Sequence, residues 1–431
     1  MTTTLQHVYL SSQQWTTLQK ILFRFFCTYF LLYCFPFPLD TIEWLHPLLK
    51  PIFSFQDWWV SLVGKQVFNI QVKDYHNIYQ RTADTHYGFV FMFTIALVAL
   101  LATFVWMIAD RRRINHEKLY QWLRLYLRFY LAFHLFNYGF IKIFPSQFPD
   151  ASASRLVQTV GDGSPASLAW NFMGYSEAFM RFTGLAEVTA GLLLLFRRTT
   201  TLGSLLAFSV LSTVVMMNLC YGIGVKLFSL HFLTIALFLF LEDSKRLVHF
   251  FILNKAIDVA PELPLIQHPL GRKILLFIQI GLGIWMLNVQ IADARSSERE
   301  FGYKFPKPLF YGVYKTEFFL RNDDTIPSVE SDSLRWKQLV IDDGSWKQSS
   351  IHFSNGNHDN YNIQVDTISK TMQVQSLKDP SENYLFDYSL PDTNRILING
   401  IWNNDSIRVM LKKYDLNNYR LHRTKFKWIV D

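Results

Sequence analysis

The sequence predicts a polytopic α-helical membrane protein carrying an antiparallel β barrel or sandwich at its carboxyl-terminal end. Half of the residues are hydrophobic and 16% are aromatic, while only 18% are charged, below the roughly one quarter usual in soluble chains. The apolar residues are gathered into long runs ahead of Asp293. From Phe301 onward the texture changes to short alternating runs separated by turn-forming clusters, the period of half-buried strands. Three regions follow: a first span and loop over 1–87, a helical bundle over 88–292 with its core at about 121–241, and an all-β region over 301–431.

Seven apolar runs are candidates to cross a bilayer, at 19–37, 88–109, 121–144, 176–196, 200–219, 225–241 and 273–292. Each approaches the ~20 residues a span needs. Lys and Arg alternate between the connections. Arg111, Arg112, Arg113, Lys118, Arg197, Arg198, Lys245, Arg246, Lys255, Arg272 and Lys273 lie on one side, which the positive-inside bias assigns to the cytoplasm. The expected topology is an inner-membrane protein with a cytoplasmic amino terminus and an extracytoplasmic β region. The opposite side holds two long loops. One, 40–87, contains Trp44, Trp58 and Trp59, suited to a headgroup interface. The other, 145–175, contains Ser164 followed by Pro165, an N-cap and first helical residue.

The formal charge of +8 has this topological reading. No Arg/Lys-rich helix or RNA-binding aromatic motif accompanies it, so nucleic acid is excluded as a partner. Cys27, Cys34 and Cys220 form no CxxC or Cys/His cluster, which argues against a zinc site. No nucleotide, haem or nucleophile-elbow motif occurs.

The third run, Trp122–Phe144, carries Arg124, Arg128, His134, Asn137, Tyr138 and Lys142. His134, Tyr138 and Lys142 are four apart and share one helical stripe. Ionisable groups at membrane depth need protein or water around them. The fourth run offers Glu187 between Gly184 and Gly191, small residues that let a neighbouring helix approach. The sixth contributes Lys226, Ser229 and His231. These define a candidate intramembrane polar site of His134, Tyr138, Lys142, Glu187 and His231. Its candidate outer rim is Asp84, Tyr87, Asn218, Tyr221 and Lys226. The chemical reading gives Lys142 an oxyanion to stabilise and Glu187 a proton to exchange, with the histidines tuning both. The plainer alternative is a set of structural pairs that fix helix register. For Asp84 and Tyr87 it is a helix cap and an interface anchor.

In the β region, alternating segments start at Pro306 and recur at Trp336–Asp342, Tyr361–Asp366, Thr371–Ser376, Tyr384–Ser389, Ile396–Asn399, Ile407–Lys412 and Tyr419–Trp428. Seven or eight strands fit a small barrel or sandwich. Tyr314, Trp336, Phe386, Trp402 and Trp428 are its expected core aromatics.

Across 80–255 the ordered set Tyr138-Gly-Phe-Ile-Lys142, Gln147-Phe148-Pro149, Phe172-Met-Gly-Tyr-Ser176, Gly184-Leu-Ala-Glu187, Leu195-Phe-Arg-Arg-Thr199, Asn218-x-x-Tyr221 and Val225-Lys226-Leu227 resembles DoxX-like membrane proteins. The similarity is greatest to the longer Bacteroidetes-type members with extra helices and an extracytoplasmic tail. The resemblance implies a four-helix core. It also implies an accessory role beside a membrane redox enzyme, such as a subunit of thiosulfate:quinone oxidoreductase, with a quinone-like ligand as the implied cofactor. A more distant similarity leads to the membrane half of vitamin K-dependent carboxylase. Relatives with this pattern read Tyr-Asp-x-Pro-x-Lys before the sixth run; here the acid and proline positions are Gly222 and Gly224. Three functions follow as expectations. The first is a redox-system accessory or anchor without catalysis of its own, binding a quinone-like or lipid ligand. The second is a membrane enzyme acting on a lipid-soluble substrate through Lys142, Glu187 and His134. The third is a receptor or carrier that uses the β domain.

Overall fold

A computed structural model describes residues 14–72, 83–148, 150–257, 265–329, 332–342 and 348–423. The chain divides into two compact units, one of residues 1–140 with 182–292 and the other of 141–181 with 293–431.

The first unit is helical. Its principal helices are α1 (Thr17–Cys34), α2 (His46–Phe68), α3 (His86–Ala109) and α4 (Glu117–Ile143). Two others are α6 (Glu177–Leu195) and α7 (Thr200–Cys220), followed by α8 (Lys226–Leu241) and α9 (Pro269–Glu300). Helix α5 (Pro165–Tyr175) falls in the second unit. Among the described residues, five helices are long and apolar enough to cross a membrane: α1 with its following turn, α3, α6, α7 with the turn before it, and α9. Helix α8 and Ser244–Ile252, bent by 68°, make a sixth if they are one span. The expected third run, α4, is not among them. Its arginines, His134, Asn137 and Lys142 dilute its hydropathy, yet Leu127, Leu131, Ala132 and Phe136 are fully buried. Helix α4 is a protein-shielded helix, several of whose polar groups, Arg124, Arg128 and Asn137 among them, are met by neighbouring helices. A second correction concerns 40–87, read as a loop: residues 46–68 are helix α2, which starts with a proline in its first turn and also tolerates Pro51.

Three arginines on the basic side meet helix carbonyl ends, where unpaired carbonyls and the helix dipole favour a cation. Arg128 donates through Nε to Leu194 O at 2.8 Å and through Nη2 to Leu195 O at 2.9 Å, at the end of α6. Arg124 donates to Leu239 O at 3.3 Å near the end of α8 and forms an ion pair with Glu242. Arg24 donates to Asp110 O at 2.9 Å, at the end of α3.

The second unit centres on a closed barrel. The strands are β1 (Gly312–Arg321), β2 (Asp324–Thr325), β3 (Trp336–Ile341), β4 (Ser349–Phe353) and β5 (His358–Asp366). They continue with β6 (Thr371–Ser376), β7 (Asn383–Asp392), β8 (Arg395–Trp402) and β9 (Asp405–Tyr414). The order is β2-β1-β3-β4-β5-β6-β7-β8-β9, and β1 also pairs with β9, so eight strands close on themselves. Closure removes the sheet edges that invite aggregation. Two hairpin turns place both central residues at positive φ, Asn322–Asp323 and Asn403–Asn404, the geometry that matches strand twist.

The interior is filled. Phe319, Trp336, Leu339, Ile351, Met372, Phe386, Ile398, Val409 and Leu411 are each essentially inaccessible. Tyr314, Trp336, Phe386 and Trp402 join this core as expected. At Gly400, opposite Phe386, an added Cβ would lie 2.6 Å from the Phe386 ring, so glycine leaves room for that ring to cross the strand. The expected strand at Tyr419–Trp428 is corrected in part: Arg420–Arg423 is a single helical turn, and Trp428 lies outside the described residues.

Within the second unit, residues 153 and 154 are tied to the barrel where β1 begins and β3 ends. Ala153 N donates to Tyr311 Oη at 3.0 Å, and Ser154 donates to Asp342 Oδ2 through N at 2.9 Å and Oγ at 2.7 Å. Tyr303 Oη donates to Gly174 O at 2.8 Å. Ser164 caps α5, accepting from Ser167 N at 3.1 Å ahead of Pro165, as the sequence predicts.

One barrel histidine gives the unit a pH dependence. His352 and His358 face each other across β4 and β5 with rings stacked at 5.0 Å. Burial first, and the neighbouring His358 second, push the His352 imidazole down to about 4. A depressed histidine stays neutral in the fold while the unfolded chain takes up a proton. Stability therefore falls as pH drops from about 6.5 towards 4 and levels off below that window. Discounted for partial exposure, the loss is on the order of 1–2 kcal/mol. Chemical unfolding of the barrel followed across this range should show the slope, and His352→Gln should flatten it.

Candidate functional site

The polar groups of the bundle gather around an aromatic chain contributed by α1, α4 and α8. Helix α1 presents Tyr29 and Tyr33, four apart and so on one face. The His231 ring stacks on Tyr33 at 4.2 Å and 10° and lies 5.8 Å from the Tyr29 ring at 11°. His231 Nδ1 is 2.6 Å from Leu227 O, and its Nε2 is 2.6 Å from Tyr29 Oη. A carbonyl only accepts, so Nδ1 carries the proton and Nε2 accepts from the tyrosine hydroxyl. The imidazole is thereby held in one tautomer and one orientation.

From Tyr33 the chain passes to Tyr130, 6.2 Å away and perpendicular, and from Tyr130 to His134 at 4.6 Å. His134 also lies against Phe232 at 4.7 Å and Phe228 at 5.6 Å. Tyr138 reaches the same Phe228 at 6.1 Å. His134 and Tyr138 of the predicted stripe thus share Phe228, while the predicted His231 connects to His134 through Tyr33 and Tyr130. His134 Nδ1 is fully buried and has no hydrogen-bond partner among the described residues. Such a group is an exception in a native interior.

Glu187 is buried in the first unit and Lys142 in the second, each engaged by neighbouring groups. Around Glu187, α6 and α4 are in close contact. A Cβ on Gly139 would lie 2.7 Å from Val188 and 2.8 Å from Gly184 O, and one on Gly191 would lie 2.7 Å from the Phe136 ring. The small residues of α6 do admit a neighbouring helix, and Gly139 of α4, which the sequence reading passed over, is the reciprocal gap.

The rim residues form a structural clasp. Asp84 caps α8 rather than its own helix: Oδ1 accepts from Leu227 N at 2.8 Å, and Oδ2 accepts from Lys226 N at 2.8 Å and Lys226 Nζ at 3.0 Å. Desolvation pulls the Asp84 carboxyl upward, but the Leu227 and Lys226 amides and the Lys226 ammonium outweigh it and hold it below the usual range. Asp84→Ala should cost roughly 2 kcal/mol. The stabilisation is present above the ordinary carboxylate range and is lost as pH falls through the lower folded value. A lower melting temperature for Asp84→Ala at neutral pH, converging on the wild type in acid, is the expected record. Asn218 Nδ2 donates to Ser229 Oγ at 3.0 Å, tying α7 to α8. Tyr87 donates to Asp57 Oδ1 at 2.6 Å. Tyr221 ends α7 with its ring partly exposed.

Three site residues were missed by sequence reasoning: Tyr29, Tyr33 and Tyr130. The signal was present as polar aromatics four apart, Tyr29 with Tyr33 and Tyr130 with His134, but in runs weighed mainly for length and hydropathy.

Over 116 residues the chain is 32% identical to the uncharacterized protein YwoB of Bacillus subtilis (strain 168), a match covering 27% of this chain and 73% of that protein. The chain belongs to the YwoB family. No family model matches it, and no solved structure matches it. The YwoB name carries no activity, so the chemistry of this YwoB-family chain rests on its own residues. Among the described residues no cluster of His, Cys, Asp and Glu could hold a metal ion.

Proposed function

We propose that this chain is a DoxX-like inner-membrane accessory protein, an anchor of a membrane redox system without catalysis of its own, which offers the outer surface of its barrel to a protein partner. The observation that carries the reading is the filled barrel. With Trp336, Phe386, Met372 and Ile398 packed through its interior, the barrel works through its surface, which weakens the receptor reading. The arginines spent on helix ends support the same view. In the proposed topology α4 crosses with the six apolar spans, the amino terminus is cytoplasmic and the barrel is extracytoplasmic, following the Lys/Arg bias. Cross-linking through amines in native membranes, followed by mass spectrometry, tests it. Links from Lys370, Lys378 or Lys412 of the barrel to a redox-enzyme subunit are expected. Links confined to this chain itself would overturn the proposal.

A second reading is favoured by the unpartnered Nδ1 of His134. In it His134, Tyr138, His231 and Glu187 hold the polar head of a quinone-like or lipid molecule within the bundle, the arrangement a membrane enzyme would also need. Mass spectrometry of chloroform extracts from purified protein decides it. The wild type should carry the ligand, while His134→Phe and Glu187→Gln should lose it. Equal recovery, or none from any of the three, would dismiss this second reading.

A further inference from the structure

We infer that helix α2 is an in-plane membrane anchor that lays one apolar face into a phospholipid surface at the His86 end of α3. With 3.6 residues per turn, α2 has three faces. Leu49, Val60, Val63 and Gly64 are buried. Lys50, Ser54 and Lys65 form an exposed polar face. Leu48, Ile52, Phe55, Trp59 and Leu62 form an exposed apolar stripe, flanked by Trp58 and preceded by Trp44, which is 75% exposed. A soluble helix turns its apolar stripe inward; here a large apolar stripe points away from the protein. Helix α2 is not among the helices apolar enough to cross a membrane.

Two contacts fix its level. Tyr87, in the first turn of the spanning helix α3, donates to Asp57 at 2.6 Å, and Phe68 packs edge-on against Phe93 at 5.0 Å. The stripe is therefore set beside the end of a span whose own outward residues Phe89, Phe93, Leu97 and Leu100 are exposed. Continuity with that lipid-facing surface selects lipid as the occupant. Tryptophans beside a stripe of Leu, Ile and Phe, with lysines on the adjoining face, are the composition of helices that bury an apolar side roughly 5–10 Å into the headgroup boundary.

The test places single nitroxide labels at Phe55→Cys, Trp59→Cys and Leu62→Cys, with Lys50→Cys as the polar-face control, in full-length Cys220→Ser protein in phosphatidylcholine nanodiscs. Cys27 and Cys34 are buried and stay in place. At the stripe, collisions with oxygen should exceed those with a water-soluble nickel complex, and the ratio should invert at position 50. Labels at 55, 59 and 62 that meet nickel as freely as position 50 would place the stripe in water. Labels shut off from both reagents would place a second copy or another protein over it. Either result overturns the inference. The uncut native side chains give an independent reading. Acyl chains brominated near the glycerol should quench the emission that Trp44→Phe and Trp58→Phe remove; absence of that quenching contradicts the anchor.

Discussion

Gly191→Leu should prevent assembly of the helical bundle. A Cβ at this position would stand 2.7 and 2.9 Å from two carbons of the Phe136 ring and 3.3 Å from Ala132 O. Phe136 is fully buried, as are Ala132 and its neighbour Leu131, so the ring has nowhere to turn and the opposing backbone must retreat. One added methyl in such a place costs about 1–3 kcal/mol, and a leucine exceeds that by forcing α4 from α6. Separation of these helices would also expose the carbonyl ends that Arg128 reaches at Leu194 and Leu195. Gly191→Ala should lower the melting temperature in detergent and Gly191→Leu should yield aggregate in size-exclusion chromatography. Gly281→Leu is the matched control, since nothing lies within 4 Å of a Cβ there; it should behave as wild type.

Trp336→Ala should cost about 3–5 kcal/mol and open the barrel, the range for removing a large aromatic from a core that cannot collapse. Trp336 is wholly enclosed, with Trp402 edge-on at 5.2 Å and Phe386 edge-on at 5.8 Å. Its loss removes the common neighbour of both rings. Limited proteolysis of the full-length protein should show new cleavage within 312–414 at temperatures where the wild type resists. Because helices dominate far-ultraviolet dichroism, near-ultraviolet aromatic signals are the better spectroscopic record. A Trp336→Ala protein as protease-resistant as wild type would show that the interior repacks.

The two units were legible to different degrees, for physical reasons. Hydropathy and length found five of the seven expected apolar runs as helices long and apolar enough to cross a membrane, and a sixth as a bent pair, and period-two alternation found most of the barrel, because both are local signals. Strand β4 escaped because Ser349 and Ser350 are buried in it, Ser349 Oγ donating to Asp342 O at 2.5 Å; a serine turned inward breaks the apolar alternation. Helix α2 escaped because 40–87 was read as a loop whose tryptophans suit a headgroup interface, whereas the helix accommodates Pro47 in its first turn and Pro51 within it. The stripe of His134 and Tyr138 was readable from spacing alone. Its partners Tyr29 and Tyr33 lie about a hundred residues earlier, and Asp84 and Lys226 are 142 residues apart. Pairings at that range are decided by how helices pack, which no local pattern encodes. The two charges of α1, Lys20 and Arg24, stand ahead of Tyr29 and Tyr33, so its site-facing half carries no ionic signal that it supplies one side of the site.

The proposed role has the barrel acting through its surface on a protein partner. Native mass spectrometry of the full-length chain ejected directly from membrane vesicles tests it most directly. The predicted result is a complex whose added mass is another polypeptide. A spectrum in which the chain flies alone, or carries only a small molecule, would contradict it.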